Sequence, residues 1–278
     1  MSQHRPILFR GRHFEDVIIL LCVRWYLRYS LSYRDLEEMM AERGLSVDHV
    51  TIWRWVQGYA PLLNQRLRGE LRHPNRSWRV DETYVRVAGN WTYLYRAVDS
   101  AGDTIDFMLS PKRDLTAAKR FLRLALSGTG GVRPRVINVD GHPAYARAIA
   151  GLKRSGDLGR RCRCRPSPYI LNNIIEQDHR FIKKRIVASL GFRSAEGAWR
   201  TIDGYEAMHV IRKGQIRWLA KGDVVGQRQF IHALFGIACL IPPTASTQTL
   251  SSLSHCNTSR WMASLPRASA PVALDYLQ

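Results

Sequence analysis

Three acidic residues stand in settings where an acid needs a reason. Asp81 lies inside the run Trp-Arg-Val-Asp-Glu-Thr-Tyr-Val at 78–85, whose aromatic and β-branched content predicts a strand. Strand interiors disfavour aspartate. Asp140 ends the run Val-Ile-Asn-Val-Asp and is followed by Gly-His-Pro. It therefore sits at the carboxyl end of a predicted strand, the place where open α/β sheets bind ligands. Glu176 lies in a stretch that reads as a helix, with His179, Arg180 and Lys183 three, four and seven residues on. That spacing puts all four on roughly one face. Singly, each acid has an ordinary explanation: a hairpin edge, a helix cap, a surface ion pair. Together, carboxylates from two strands and a helix can hold two divalent ions against a phosphodiester. Cleaving and rejoining phosphodiesters needs an activated oxygen, in-line geometry and stabilised charge on the entering and leaving oxygens, and paired metals supply all three. Hard oxygen ligands suit Mg²⁺, with Mn²⁺ as a substitute.

Charge agrees with such a substrate. The 278 residues carry 42 Lys and Arg against 23 Asp and Glu, a net +19, and the pI is near 10.4. This points to a polyanionic partner, nucleic acid before an anionic membrane. The apolar runs 17–23 and 230–240 are shorter than the ~18–20 residues a spanning helix needs, so no membrane partner is expected. Residues 1–11 are polar and basic, with no sign of a cleavable signal peptide. Five cysteines, scattered except for Cys162 and Cys164, argue against a disulfide framework and for a reducing, cytoplasmic setting. Cys162-Arg163-Cys164 is spaced too closely for a zinc site.

The elements that must position these residues fall into three regions: a helical, basic segment over 1–72, mixed strand and helix over 73–240, and a Ser/Thr-rich tail over 241–278 expected to be disordered. In the first region, periodicity predicts a helix over 14–29 and a second capped by Ser32 with Asp35 three residues on. Gly44 stops the second. A third helix starts at Ser46 or Asp48 and runs to about Tyr59. A short Gly-containing gap between the second and third fits a helix-turn-helix. The third would enter the major groove with His49, Thr51, Arg54 and Gln57, while Val50, Trp53 and Val56 face inward. A small dimerising bundle is the plainer alternative.

In the second region, strands over 77–87, 91–99 and 104–109 form an antiparallel meander, with Gly89-Asn90 as the hairpin turn. Asp114 caps a helix, 135–140 is a strand, and Pro143 opens another helix. The order describes an α/β fold, a sheet with helices packed on it. The Arg-rich stretch 153–165 reads as a DNA-facing loop. Glu82, Asp99, Asp103 and Asp106 are assigned turn or edge roles, His142 helix entry, and the tryptophans mostly the core.

The stretches 78–85 and 91–99, Asp103-Thr104-Ile105-Asp106-Phe107, 171–180 and 208–215 resemble the catalytic core of bacterial insertion-sequence transposases with an Asp-Asp-Glu triad. The likeness is closest to the insertion-sequence-six family and covers about residues 10–240. It implies a ribonuclease-H-like core behind an N-terminal helix-turn-helix domain. Asp81, Asp140 and Glu176 match the three triad positions and imply catalytic and metal-binding roles. Lys183 matches a basic residue two turns after the glutamate, and with His179, Arg180 and Lys184 it is read as a DNA contact.

The resemblance implies a transposase that binds terminal inverted repeats, cuts DNA and joins the end to target DNA. It also implies at least a dimer, and a bacterial, cytoplasmic, nucleoid-associated protein. Two rivals stay open at this level: a DNA-binding regulator with an inactive core, and a nuclease without strand transfer. The tail past 240 extends beyond where relatives usually stop.

Overall fold

Two tight turns join the first three strands of the sheet, β1 (Ser77–Val87), β2 (Asn90–Asp99) and β3 (Thr104–Ser110). Both β1–β2 and β2–β3 pair antiparallel. The first turn falls one residue earlier than expected. Val87 pairs with Asn90, so Ala88 and Gly89 are the central residues, and both have positive φ, as a type I′ hairpin turn requires. In this computed structural model residues 5–166, 173–189 and 191–237 are described. The expected tail over 241–278, and Leu171 and Asn172 of the resemblance, lie outside them.

β4 (Val136–Val139) pairs parallel with β1, and β5 (Arg163–Pro166) pairs parallel with β4. Among the described residues these five strands form one mixed sheet in the order β3-β2-β1-β4-β5. β5 corrects the loop expected over 153–165. Four residues with two arginines carry no strand periodicity, and pairing with β4 alone makes them a strand. Its mostly exposed, charged side chains suit a sheet edge.

Alternation along β1 sends its side chains to two cores. Trp78 and Val80 pack with Tyr95, Phe121 and Tyr145 under α4 (Leu115–Ser127) and α5 (Pro143–Arg154). Val85 and Val87 face the other way, toward Ile182, Tyr205 and Met208 of α6 (Asn173–Ala188) and α7 (Ala195–Lys213). Asp114 caps α4 by accepting from Ala117 N–H. His142 caps α5 by accepting from Ala144 N–H, the helix-entry role expected of it.

The N-terminal helices are α1 (Asp16–Arg28), α2 (Tyr33–Ala41) and α3 (His49–Leu67), and α8 (Val224–Leu234) follows the core. Ser32 and Asp35 form a reciprocal capping box on α2. Gly44 takes positive φ after it, and Asp48 accepts from Val50 and Thr51 N–H at the start of α3. α3 runs past Tyr59, through Pro61, to Leu67. Burial of Tyr59, Ala60, Leu63 and Leu67 outweighs the hydrogen bond that Pro61 removes.

The buried side of α3 is Ile52, Trp55 and Val56, and Val50 and Trp53 are exposed instead of inward. A three-residue interval drifts off a 3.6-residue turn, so the expected stripe winds out of the core. Nor are the tryptophans uniformly core residues, since Trp53, Trp91 and Trp218 are exposed. α1 and α3 share one core with α7 and the sheet. Gly204 of α7 makes that approach possible, for a Cβ there would lie 2.5 Å from Leu27 and 2.7 Å from Ala60. No helix among the described residues is long and apolar enough to cross a membrane.

Candidate active site

The parallel pairing of β1 and β4 ends at Val80 opposite Val139. The next residue on each strand is an acid, so register alone brings Asp81 beside Asp140 at the carboxyl end of β4. Glu82 joins them: one oxygen from each of Asp81, Glu82 and Asp140 lies within 4.8 Å of the others. This corrects the turn or edge role expected of Glu82. Alternation sends it to the opposite face from Asp81, but where β4 stops both carboxylates reach Asp140.

Hydrogen bonds fix the acids. Asp81 Oδ1 accepts from Glu82 N–H at 2.9 Å, and Asp140 Oδ1 accepts from His142 N–H at 3.1 Å. Arg113, between β3 and α4, spans two of them: its Nε lies 3.1 Å from Glu82 Oε1 and its Nη2 lies 2.5 Å from Asp140 Oδ2. Neither Arg113 nor its role is visible in the sequence, where it is one of many arginines.

Crowding shows in the electrostatics. Burial, with the neighbouring charges of Glu82 and Asp140, pushes Asp81 up to about 6. Burial also raises Glu82 despite Arg113. One guanidinium does not balance three carboxylates, so the acids are short of positive charge. The donor set is all oxygen, which fits a hard divalent cation and not a soft one.

Glu176 is half-buried near the start of α6 and is not among the three acids drawn together. Its helix nevertheless faces the site. His179, one turn further on, is buried, and its Nδ1 lies 3.9 Å from Asp81 Oδ2. Burial first, then the charge of Arg96, push His179 down to about 3, so it is neutral. Expected to touch DNA, His179 instead packs against the sheet, because the inner face of α6 is the one that meets β1. Arg180, Lys183 and Lys184 are exposed on the same helix.

A buried ionic network clamps α6 in place. Arg96 of β2, fully buried, reaches Asp178 at 2.6 Å and Glu206 at 2.7 Å. His209 and Lys213 of α7 each approach Asp178 at 2.5 Å. Burial alone would raise the Asp178 carboxyl, but Arg96, His209 and Lys213 outweigh it and hold it well below the usual range. Asp178 is two residues from Glu176, so this network sets where Glu176 stands. None of the five stands out in the sequence as a site residue, although Arg96, Asp178, His209 and Lys213 lie in the stretches that carry the family resemblance; the signal is charge at one strand and four helix positions that turn out to be buried or nearly so.

The remaining expected residues divide. Arg54 is exposed and Thr51 half-buried on α3, and His49 lies 2.8 Å from Glu37. Gln57 is buried and donates to Thr201 Oγ1 at 2.9 Å, so it corrects to a packing residue that holds α3 on α7. Asp99 serves the turn expected of it, accepting from Asn75, Ala101 and Asp103 N–H. Asp106 lies on β3, an edge strand of the sheet, where it is buried and paired with Arg68 at 2.9 Å. Cys162 packs in the core under α5.

A DDE domain family model matches residues 75–215. The transposase for insertion sequence-like element IS431mec of Staphylococcus aureus is 39% identical over 211 residues, covering 76% of this chain and 91% of that one. The transposase for insertion sequence element IS257 in transposon Tn4003, also from Staphylococcus aureus, matches with the same identity and coverage. Among solved structures, the HTLV-2 integrase catalytic core domain in complex with magnesium aligns with a TM-score of 0.39 at 17% identity, covering 58% of this chain and 97% of that one. With a matching DDE domain and relatives aligned over nearly their full length, the chain belongs to the insertion-sequence-six family of DDE transposases.

Proposed function

We infer that this chain is the transposase of a bacterial insertion sequence, which cuts DNA at the ends of its element and joins the exposed 3′ hydroxyl to target DNA. The observation that carries the reading is the meeting of Asp81 and Asp140 where parallel β1 and β4 part, in a site short of positive charge. The strand order β3-β2-β1-β4-β5, three antiparallel strands followed by two parallel ones, suits a ribonuclease-H-like core.

Asp81, Asp140 and Glu176 would hold Mg²⁺, with Mn²⁺ as a substitute. When bound, the ions stabilise charge on the entering and leaving oxygens of a phosphodiester. Asp81 and Asp140 are set by backbone register. Glu176 is set by α6, which the Arg96–Asp178–Glu206 network holds against β1. His179 fills the space between α6 and Asp81 with a neutral ring, which keeps water away without adding charge. Arg113 steadies Glu82 and Asp140. Arg180, Lys183 and Lys184, exposed on α6, hold the DNA backbone that the acids would repel.

Residues 1–72 are the DNA-reading part, a helix-turn-helix in which His49, Thr51 and Arg54 approach the terminal inverted repeats. Residues 73–240 are the catalytic part. Two ends must be brought together, so the working form is at least a dimer, acting in the cytoplasm on nucleoid DNA.

The test is a strand-transfer assay with Mg²⁺ on purified Asp81→Asn, Asp140→Asn and Glu176→Gln. Each variant is expected to lose both cutting and joining. Wild-type activity in any one removes that residue from the site, and cuts without joined products would favour the simple nuclease.

A further inference from the structure

The β1–β2 hairpin carries an aromatic stripe that the acidic site does not use. On the sheet face shared with Glu82, Tyr84 stands directly opposite Tyr93, and Arg86 opposite Trp91. The ring centroids of Tyr84 and Tyr93 are 5.2 Å apart, and those of Tyr84 and Trp91 are 6.3 Å apart. Further back on the same face Tyr95 is buried against Phe121. α4 and α5 cover only that inner half. At the outer half Tyr84 is 55% exposed and Trp91 65% exposed. Large aromatics left standing on a hairpin add nothing to the core, and their exposure argues for a ligand.

The stripe borders a groove of about 430 Å³ lined by Tyr84, Arg86, Trp91, Lys183 and Ile186. β4 pairs only with residues 77–80 of β1, Phe192 bridges to Val87 further along that edge, and α6 with Gly191 forms the opposite wall of the groove. The groove thus leads away from the acids. Tyr84 is three residues beyond Asp81, about 10 Å along an extended strand. Its cations, Arg86 and Lys183, match a phosphate backbone, and the chain is strongly basic overall. A fully paired duplex offers only base edges to such rings, whereas an unpaired base offers a face on which an aromatic side chain can stack.

We propose that Tyr84 and Trp91, with Arg86 and Lys183, form a stacking ledge for unpaired DNA bases next to the cleavage site. The proposal rests on the reading of the acidic site as a DNA-cutting centre. The ledge takes the strand flanking the scissile phosphate once the duplex end has opened, with bases on the rings and phosphates on the two cations. Sequence preference is weak, because every base has a stackable face.

Equilibrium binding in chelator, where no cutting occurs, tests the ledge separately from catalysis. The probes are fluorescein-labelled oligothymidylate of about 12 nucleotides, a blunt duplex, and a duplex end with 2-aminopurine in an unpaired flank. Trp91→Ala and Tyr84→Ala are each expected to weaken oligothymidylate binding about fivefold or more and to relieve quenching of 2-aminopurine, with blunt-duplex affinity changed less than about twofold. Trp91→Phe, which keeps a stacking face, should retain most of the affinity. Trp218→Ala, an exposed tryptophan elsewhere, should behave as wild type. Unchanged single-strand affinity in both alanine variants would overturn the proposal and leave the hairpin as a protein-contact surface. Equal losses on duplex and single strand would also overturn it, because stacking would not be the cause. A chain that binds as expected here but never cuts DNA would sink the transposase reading and spare the ledge.

Discussion

Replacing Asp81 with asparagine is expected to abolish activity while making the metal-free protein more stable. Burial, with Glu82 and Asp140 beside it, lifts this carboxyl from an ordinary 3.8 to about 6. At about 1.4 kcal/mol per tenfold change in proton affinity, ionised Asp81 costs the fold about 3 kcal/mol. The sign follows from proton counting. Between pH 3.8 and about 6 the folded chain holds a proton that the unfolded chain has released, so stability falls as pH rises through that window and stays low above it. Asparagine keeps the shape and can still accept from Glu82 N–H, but carries no charge. In chelator at about pH 8, Asp81→Asn should therefore melt above wild type by about 6–12 °C, taking ~2–4 °C per kcal/mol for a chain near this size. The gain should shrink to about 0.5 kcal/mol by about pH 4, where wild-type Asp81 is itself protonated. Added Mg²⁺ should raise the wild-type melting temperature and leave the variant unmoved, since only a binding-competent native state gains from ligand. A variant that melts at or below wild type at about pH 8 would refute the claim that the site stores uncompensated negative charge.

Asp178→Ala removes a carboxylate from Arg96, which keeps Glu206, and the paired carboxylate from buried Lys213, and chemical denaturation should read a loss of about 3–5 kcal/mol. Strand transfer should fall with it, because α6 loses the clamp two residues from Glu176. Gly204→Ala drives a methyl into Leu27 and Ala60, so denaturation should show about 1–3 kcal/mol lost to overpacking. On α3 the two polar candidates should separate. Arg54→Ala should weaken binding to the element's terminal DNA by about 1–3 kcal/mol in an anisotropy titration. Gln57→Ala should cost about 1 kcal/mol of stability, by leaving Thr201 unpaired, with DNA affinity unchanged.

Local chemistry made much of the fold legible. The capping box of Ser32 and Asp35, the positive-φ stop at Gly44 and the hairpin before Asn90 are written in a few neighbouring residues, and each was read with at most a one-residue slip. Asp81 and Asp140 were legible because strand patterning frames them. What escaped was set by partners distant in sequence. β5 is a strand only because β4 lies beside it. α3 continues past Tyr59 only because α7 covers Ala60 and Leu63. Gln57 and His179 looked like surface polar groups until their helices were seen to turn those positions inward. Glu82 and Arg113 enter the site through tertiary geometry alone, for neither type nor spacing sets them apart from other acids and arginines. The exposure of Trp91 runs against the usual fate of tryptophan, and it follows from α4 and α5 stopping short of the hairpin.

Asp81, Asp140 and Glu176 together are expected to hold the metal, whereas the acids that lie within 4.8 Å of one another are Asp81, Glu82 and Asp140. Anomalous diffraction from crystals grown with Mn²⁺ measures this directly. The account predicts density bridging Asp81 and Asp140 with the Glu176 carboxylate drawn in as a ligand. Density ligated by Glu82 in place of Glu176, or none between the two aspartates, would contradict it.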